Sequence, residues 1–246
     1  MNRVKWQIVL GVLLVAISAI LYEAQIHIFH STRDTFFYLF QDLAFIPIQV
    51  LLVTLFLNQL LNMREKHAMM NKLNMVIGTF FSEVGTTLIK SFAAFDQNTE
   101  KIRGELLVKG DWSDQQFADA VKRIRSYEYQ IISVESDLEA LKNFLIEKRK
   151  FLLGLLENPN LLEHETFTEL LWAVFHLSEE LAVREDLQHL PPADSNHIAG
   201  DIKRAYTLLL VEWLAYMKHL KQDYPYLFSF AVRTNPFDPN ASPTIK

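Results

Sequence analysis

Residues 36–61 read FFYLFQDLAFIPIQVLLVTLFLNQLL and contain a single formal charge, at Asp42. The uncharged part, residues 43–61, is long enough to cross a hydrocarbon core of about 30 Å as an α-helix. It separates a short N-terminal part from a long, charged remainder with helical patterning. The stretch therefore predicts a membrane-spanning helix.

A second apolar run, residues 6–22, comes before this helix, with Trp6 and Tyr22 as interfacial anchors at its ends. Basic residues are more frequent outside the two runs (Arg3, Lys5, Arg64, Lys66, Lys72) than between them (Arg33). By the positive-inside rule, both termini are expected in the cytoplasm. The sequence therefore predicts an integral membrane protein with a two-span hairpin in residues 1–61, in the inner membrane if the source is bacterial.

Polar residues of the second run fall on two faces of the predicted helix. At 100° per residue, Asp42 and Gln49 share one face, while Pro47, Thr54 and Asn58 share another. Polar groups in a membrane usually face other helices or water. Two interpretations stay open: either these groups hold neighbouring helices together, or Asp42 and Gln49 line a pathway through an oligomer. Both require a partner helix from another copy of the chain, so we expect a homo-oligomer.

The connection between the two runs contains four residues of metal-ligating type: Glu23, His27, His30 and Asp34. If the first helix continues outward, their spacing puts them on one face, where they would suit a divalent metal. If Ser31 instead caps the second helix, that face is broken. We expect a solvated polar face and no metal here.

Composition bounds the remainder of the chain. Only seven glycines and eight prolines occur in 246 residues, which favours an all-α protein. The absence of cysteine excludes disulfides, thiolate catalysis and cysteine-based metal sites. A net charge of −5 argues against a general nucleic-acid surface. No phosphate loop, Ser-His-Asp order or nucleotide fingerprint is present, so we expect no cofactor and no enzymatic activity.

After the membrane part, the pattern predicts a helical stalk over residues 62–95, a helical domain over 96–232 and an extended tail over 233–246. Ser113 and Gln116 form a capping box, and apolar residues in heptad spacing, with one lapse at Lys148, follow it as far as Leu155. We expect one long, coiled-coil-like helix over residues 114–157, with a hairpin broken near residues 133–137 as the alternative. Two more helices are expected, one ending near His189 and one running from about Asp194 to Asp223.

Two groups of residues invite a chemical interpretation. The segment Arg184-Glu-Asp-Leu-Gln-His189 resembles the Arg-x4-6-His motif of HEPN ribonucleases. That resemblance implies a helical bundle in which Arg184 and His189 meet at a dimer cleft to cleave RNA, although Glu185 replaces the usual Asn, Asp or His. A histidine at a helix end also suits the helix dipole. His176 and Glu180 have ligand spacing on one helix, but a metal site needs a second helix, so a solvated face is favoured.

The sequence thus indicates an all-α protein with a two-span hairpin and an elongated cytoplasmic helical bundle. The favoured function is a self-associating scaffold or sensor that relays between the lipid bilayer and a cytoplasmic protein partner. A homo-oligomeric ion channel or membrane-permeabilising effector and a membrane-tethered ribonuclease are the alternatives.

Overall fold

The computed structural model describes residues 3–30, 32–132 and 135–244. It divides into two compact units, Met1–Lys66 and His67–Lys246. Its α-helices are α1 (Arg3–Phe29), α2 (Thr32–Phe80), α3 (Thr86–Phe95), α4 (Thr99–Leu106), α5 (Asp114–Ser126), α6 (Glu135–Leu156), α7 (Glu165–Ala182), α8 (Pro192–Asp223) and α9 (Pro225–Arg233). The described residues contain no β-strand, so the all-α prediction is confirmed.

The first unit consists of α1 and the N-terminal part of α2. Residues Thr32–Glu65 form an apolar stretch with a mean hydropathy of 1.9, and none of its most apolar window is buried. Among the residues whose side chains the structure describes, this is the one helix long and apolar enough to cross a membrane, and Val12–Ile28 of α1 is a shorter apolar helix. The two-span hairpin therefore stays a prediction.

The second unit is a helical bundle built around α8, which packs against α3, α5, α7 and α9. The largest fully buried side chains include Tyr206 of α8, Phe80 of α2, Phe92 of α3 and Phe167 of α7. The segment predicted as a stalk, residues 62–95, contains the boundary between the two units, which falls after Lys66. From Leu73 onward most apolar side chains of this segment are buried in the core of the second unit, although Met75 is exposed.

The predicted long helix over residues 114–157 is wrong, because the chain leaves the helix between Ser126 and Glu135. The buried carboxylate of Asp96 accepts hydrogen bonds from two residues of this non-helical segment. Its Oδ1 accepts a hydrogen bond from the backbone N–H of Gln130 (3.0 Å), and its Oδ2 accepts one from the hydroxyl of Tyr127 (2.9 Å). The predicted hairpin position overlaps residues 133 and 134, which lie outside the described residues.

The apolar seam itself is buried on both sides of this break, as Phe117, Ala120 and Ile124 in α5 and Leu138 and Leu145 in α6. The apolar residues of one heptad pattern are thus buried in the same core from two separate helices. The capping box is confirmed: Ser113 accepts from the N–H of Gln116, whose side chain accepts from the N–H of Ser113.

Two other boundaries differ from expectation. Helix α7 ends at Ala182, so residues 184–189 lie in the connection to α8 and not in a helix. The predicted extended tail begins with a docked segment, because Asn235 and Phe237 are buried and Asn235 Nδ2 donates to the carbonyl of Leu106 (2.9 Å).

Candidate metal centre

Helices α7 and α8 each carry a histidine followed four residues later by a carboxylate. The pairs are His176 with Glu180 on α7 and His197 with Asp201 on α8. Residues four apart lie on the same helix face. Since α7 and α8 pack against each other, the two pairs meet at one end of their interface.

The ligating atoms of these side chains converge. Nε2 of His176 and Nε2 of His197 lie 3.3 Å and 3.4 Å from Oδ2 of Asp201. The same two nitrogens each lie 3.8 Å from a carboxylate oxygen of Glu180. A tetrahedral site with metal–ligand distances of about 2.0–2.1 Å has edges of about 3.3–3.4 Å. The histidine–Asp201 distances match such an edge, and the Glu180 distances exceed it by a few tenths of an ångström.

Asp201 forms the buried base of the cluster, with 3 % of its surface exposed. Its Oδ2 accepts no hydrogen bond, although two imidazole nitrogens lie within 3.4 Å of it. A buried carboxylate oxygen without a hydrogen bond costs free energy. His176 and His197 close the outer side and are 46 % and 52 % exposed, so solvent reaches the cluster from that direction.

Arg184 orders the carboxylates beside this cluster. Its guanidinium donates to both carboxylate oxygens of Asp194, at 2.9 Å and 2.7 Å, and to Oε2 of Glu180 at 2.7 Å. These hydrogen bonds lower the pKa of Glu180 and the pKa of Asp194. Glu180 is therefore held ionised and fixed in place, as a metal ligand must be.

Arg184 and His189, the candidate ribonuclease pair, have different partners. Arg184 is bound to Asp194 and Glu180, whereas Nδ1 of His189 lies 2.9 Å from Oδ2 of Asp186. The His189 side chain is 82 % exposed. Arg184 thus serves as a support between α7 and α8.

The predicted metal candidates near the membrane part do not share one helix face. Helix α1 ends at Phe29, and His30 has a φ of 50°, so Glu23 and His27 lie on α1 while Asp34 lies on α2. Among the described residues, the group whose ligand atoms converge is His176, Glu180 and His197. The predicted pathway residues lie exposed along α2: Asp42, Pro47, Gln49, Thr54 and Asn58.

The sequence interpretation recognised His176 and Glu180 but missed His197 and Asp201. A signal was present, because residues 176–180 read HLSEE and residues 197–201 read HIAGD. A repeated His-x3-carboxylate spacing on two consecutive helices is the pattern to search for.

Comparisons with known proteins match both parts of the chain. A family model described as "MJ1433, N-terminal helical domain" matches residues 2–61, and one described as "Uncharacterized protein MJ1433, C-terminal helical domain" matches residues 69–233. The chain is 43 % identical over 238 residues to the protein MJ1433 of Methanocaldococcus jannaschii, covering 97 % of this chain and 96 % of that relative. No solved structure gave a significant match. The chain therefore belongs to the MJ1433 family of two-part helical proteins.

Proposed function

We propose that this protein is a membrane-anchored sensor whose C-terminal unit binds a divalent transition metal, with Zn²⁺ as the best fit. The observation that carries the proposal is the convergence of His176, Glu180 and His197, with the buried, unbonded Oδ2 of Asp201 within 3.4 Å of both imidazole nitrogens. Membrane anchoring is supported by the exposed apolar stretch Thr32–Glu65.

The ligand chemistry suits zinc. Zn²⁺ binds imidazole nitrogen and carboxylate oxygen in a tetrahedron. Glu180 and Asp201 supply two negative charges, which balance the charge of the ion. Small adjustments of exposed imidazoles would bring the Glu180 edges to the required length. Imidazole nitrogen suits zinc, whereas Mg²⁺ and Ca²⁺ prefer sites made of oxygen atoms alone, so the two histidines favour zinc over Mg²⁺ or Ca²⁺.

Metal binding would act on the contact between two helices. His176 and Glu180 belong to α7, whereas His197 and Asp201 belong to α8. An ion held by both pairs fastens α7 to α8 and stabilises the folded unit by its binding free energy. This is the event that we propose the protein senses.

The membrane part is proposed to be a two-span hairpin with both termini in the cytoplasm. The supports are the apolar Val12–Ile28 and Thr32–Glu65 helices and the basic residues outside the two runs. Self-association through the face carrying Asp42 and Gln49 is part of this proposal. Because no native cysteine exists, an impermeant maleimide should label Ser31→Cys in intact cells and Ser136→Cys only after lysis. Labelling of Ser136→Cys in intact cells would contradict this topology.

The metal proposal is tested by calorimetric titration of Zn²⁺ into the full-length protein in nanodiscs after treatment with EDTA. We expect one zinc per chain, and a loss of affinity of at least about 100-fold in His197→Gln, because a ligand is removed. His189→Gln is the matched control, since it makes the same change at an exposed histidine outside the cluster. Equal zinc affinity in His197→Gln and His189→Gln would refute the site.

A further inference from the structure

A groove with a volume of about 800 Å³ lies beside the metal centre, between the outer faces of α7 and α8. We call it the α7–α8 groove. The residues of its wall that carry the argument are Trp172, His176, Gly200, Lys203, Arg204 and Leu208. His176 belongs to both the groove and the metal cluster. A molecule in the groove would therefore reach the exposed side of the metal centre. The volume lies in the range typical of small-molecule sites.

One part of the groove is apolar. Trp172 leaves 57 % of its surface exposed, and Leu208 contributes further apolar surface. An indole ring is a large apolar surface to leave in water, and covering it gains free energy in proportion to the area removed from solvent. The groove thus favours a ligand with an apolar body.

The charges of the groove favour an anion. Lys203 and Arg204 line it together with one carboxylate, Glu169. Within the described part of the chain, the Lys203 ammonium takes part in no salt bridge, and Arg204 is 3.5 Å from Oδ1 of Asp201. Because Asp201 belongs to the metal cluster, Arg204 marks the end of the groove that adjoins the metal. An anionic head is thus favoured at that end.

Gly200 lines the groove at the end that adjoins the metal cluster, directly before Asp201 on α8. It lies inside α8, where glycine is less favourable than alanine. A Cβ at this position would meet nothing within 4 Å, so packing does not require glycine here. The missing side chain lets a ligand approach the α8 backbone between His176 and Lys203.

We propose that the α7–α8 groove binds an amphipathic monocarboxylate. Its carboxylate lies at Lys203 and Arg204, next to the metal, and its apolar body covers Trp172 and Leu208. The proposal deepens the proposed function and rests on it, since Arg204 of the groove lies 3.5 Å from Oδ1 of Asp201 in the metal cluster. It names the class of small molecule whose binding is coupled to the metal.

The test uses the full-length protein in nanodiscs and three probes with one apolar body: 4-phenylbutyrate, 4-phenylbutan-1-ol and 4-phenylbutylamine. Calorimetry, corrected with empty nanodiscs, is performed with and without Zn²⁺. We expect 4-phenylbutyrate to bind once per chain and about two- to fivefold more tightly than the other two probes, as one ion pair near the surface provides. Equal binding of the three probes would overturn the proposal.

Two variants locate the binding. Gly200→Leu fills the groove and should weaken 4-phenylbutyrate at least about tenfold, whereas Gly154→Leu makes the same change in α6, also in open space, and should have no effect. Lys203→Glu, at an exposed position, should weaken the carboxylate and spare the amine. Unchanged binding in both groove variants would refute the site. A change of oligomeric state in Gly200→Leu would assign the groove to a second copy of the chain and overturn the proposal.

The experiments distinguish a failure of the zinc-site proposal from a failure of the α7–α8 groove proposal. His197→Gln should remove the gain in 4-phenylbutyrate affinity that zinc provides while leaving zinc-independent binding in place. If zinc does not bind at all, the Gly200→Leu and Lys203→Glu effects without metal still decide whether the groove takes the carboxylate. If zinc binds and no probe does, the metal centre stands and the groove proposal falls.

Discussion

The Oδ2 atom of Asp201 on α8 lies 3.3 Å from Nε2 of His176 on α7, and it accepts no hydrogen bond. The neighbouring contact, between the α7–α8 connection and α8, is different. Arg184 and Asp194 are joined by two hydrogen bonds of 2.9 Å and 2.7 Å. The Arg184–Asp194 pair satisfies its own polar groups, whereas Oδ2 of Asp201 stays without a hydrogen bond beside Nε2 of His176. That arrangement suits a cation better than a direct pair.

Asp201→Asn should separate metal binding from stability. In EDTA-treated protein at pH 8, we expect the variant to be more stable than the wild type by about 1 kcal/mol, because a buried carboxylate without a hydrogen bond is removed. The increase in melting temperature on adding Zn²⁺ should disappear. Asp223→Asn, an exposed change on the same helix, should retain that increase. Retention of it in Asp201→Asn would exclude Asp201 as a ligand.

Arg184→Ala should lower the melting temperature of the C-terminal unit by several degrees. The change leaves the carboxylates of Asp194 and Glu180 without their common cation. His189→Ala should have almost no effect, because that side chain is exposed. Arg184→Lys should not restore stability, since an ammonium lacks the bidentate fork.

The same two variants address the ribonuclease alternative. We expect no degradation of single-stranded RNA by the wild type. Metal-independent degradation that is lost in both His189→Ala and Arg184→Ala would support the alternative instead.

Proline substitution should reveal the break between α5 and α6. Tyr127 has a ψ of 137°, the extended conformation that a following proline requires, so Glu128→Pro should change the free energy of unfolding by less than about 1 kcal/mol. Asn143→Pro places the same residue at an exposed position inside α6 and should cost about 3 kcal/mol or more. Chemical denaturation followed by circular dichroism measures both. Equal, large losses would indicate a continuous helix.

Glu212→Gln should stabilise the protein at neutral pH. Burial raises the pKa of Glu212 above its ordinary value of 4.5, despite a hydrogen bond from Thr166. The folded state therefore binds this proton more tightly than the unfolded state. Stability falls as the pH rises from 4.5 through the folded-state pKa, and the full penalty applies above it.

The neutral amide removes this penalty. The melting temperature of Glu212→Gln should exceed that of the wild type at pH 7, and the difference should shrink towards pH 4.5. Glu185→Gln, at an exposed position, is the control. A lower melting temperature at pH 7 in Glu212→Gln would show that the ionised carboxylate is stabilising.

Local properties of the sequence were enough to predict the all-α class, the exposed apolar stretch of α2 and the capping box at Ser113. They were also enough to predict that Phe117, Ile124, Leu138 and Leu145 are buried. Each depends on residues within one or two helical turns. Helical periodicity tells which face of a helix is buried, since apolar residues three and four apart must leave water together.

The tertiary structure decided which faces meet. In the interruption of the predicted long helix, Asp96 accepts a hydrogen bond from the backbone N–H of Gln130, 34 residues further along the chain. No local sequence pattern predicts that contact. Likewise, His176 and His197 lie on separate helices and share Asp201 only because α7 packs against α8. The spacing of each His–carboxylate pair is a local property of one helix, but a metal site requires both pairs at one place. That position is set by how the core packs around α8.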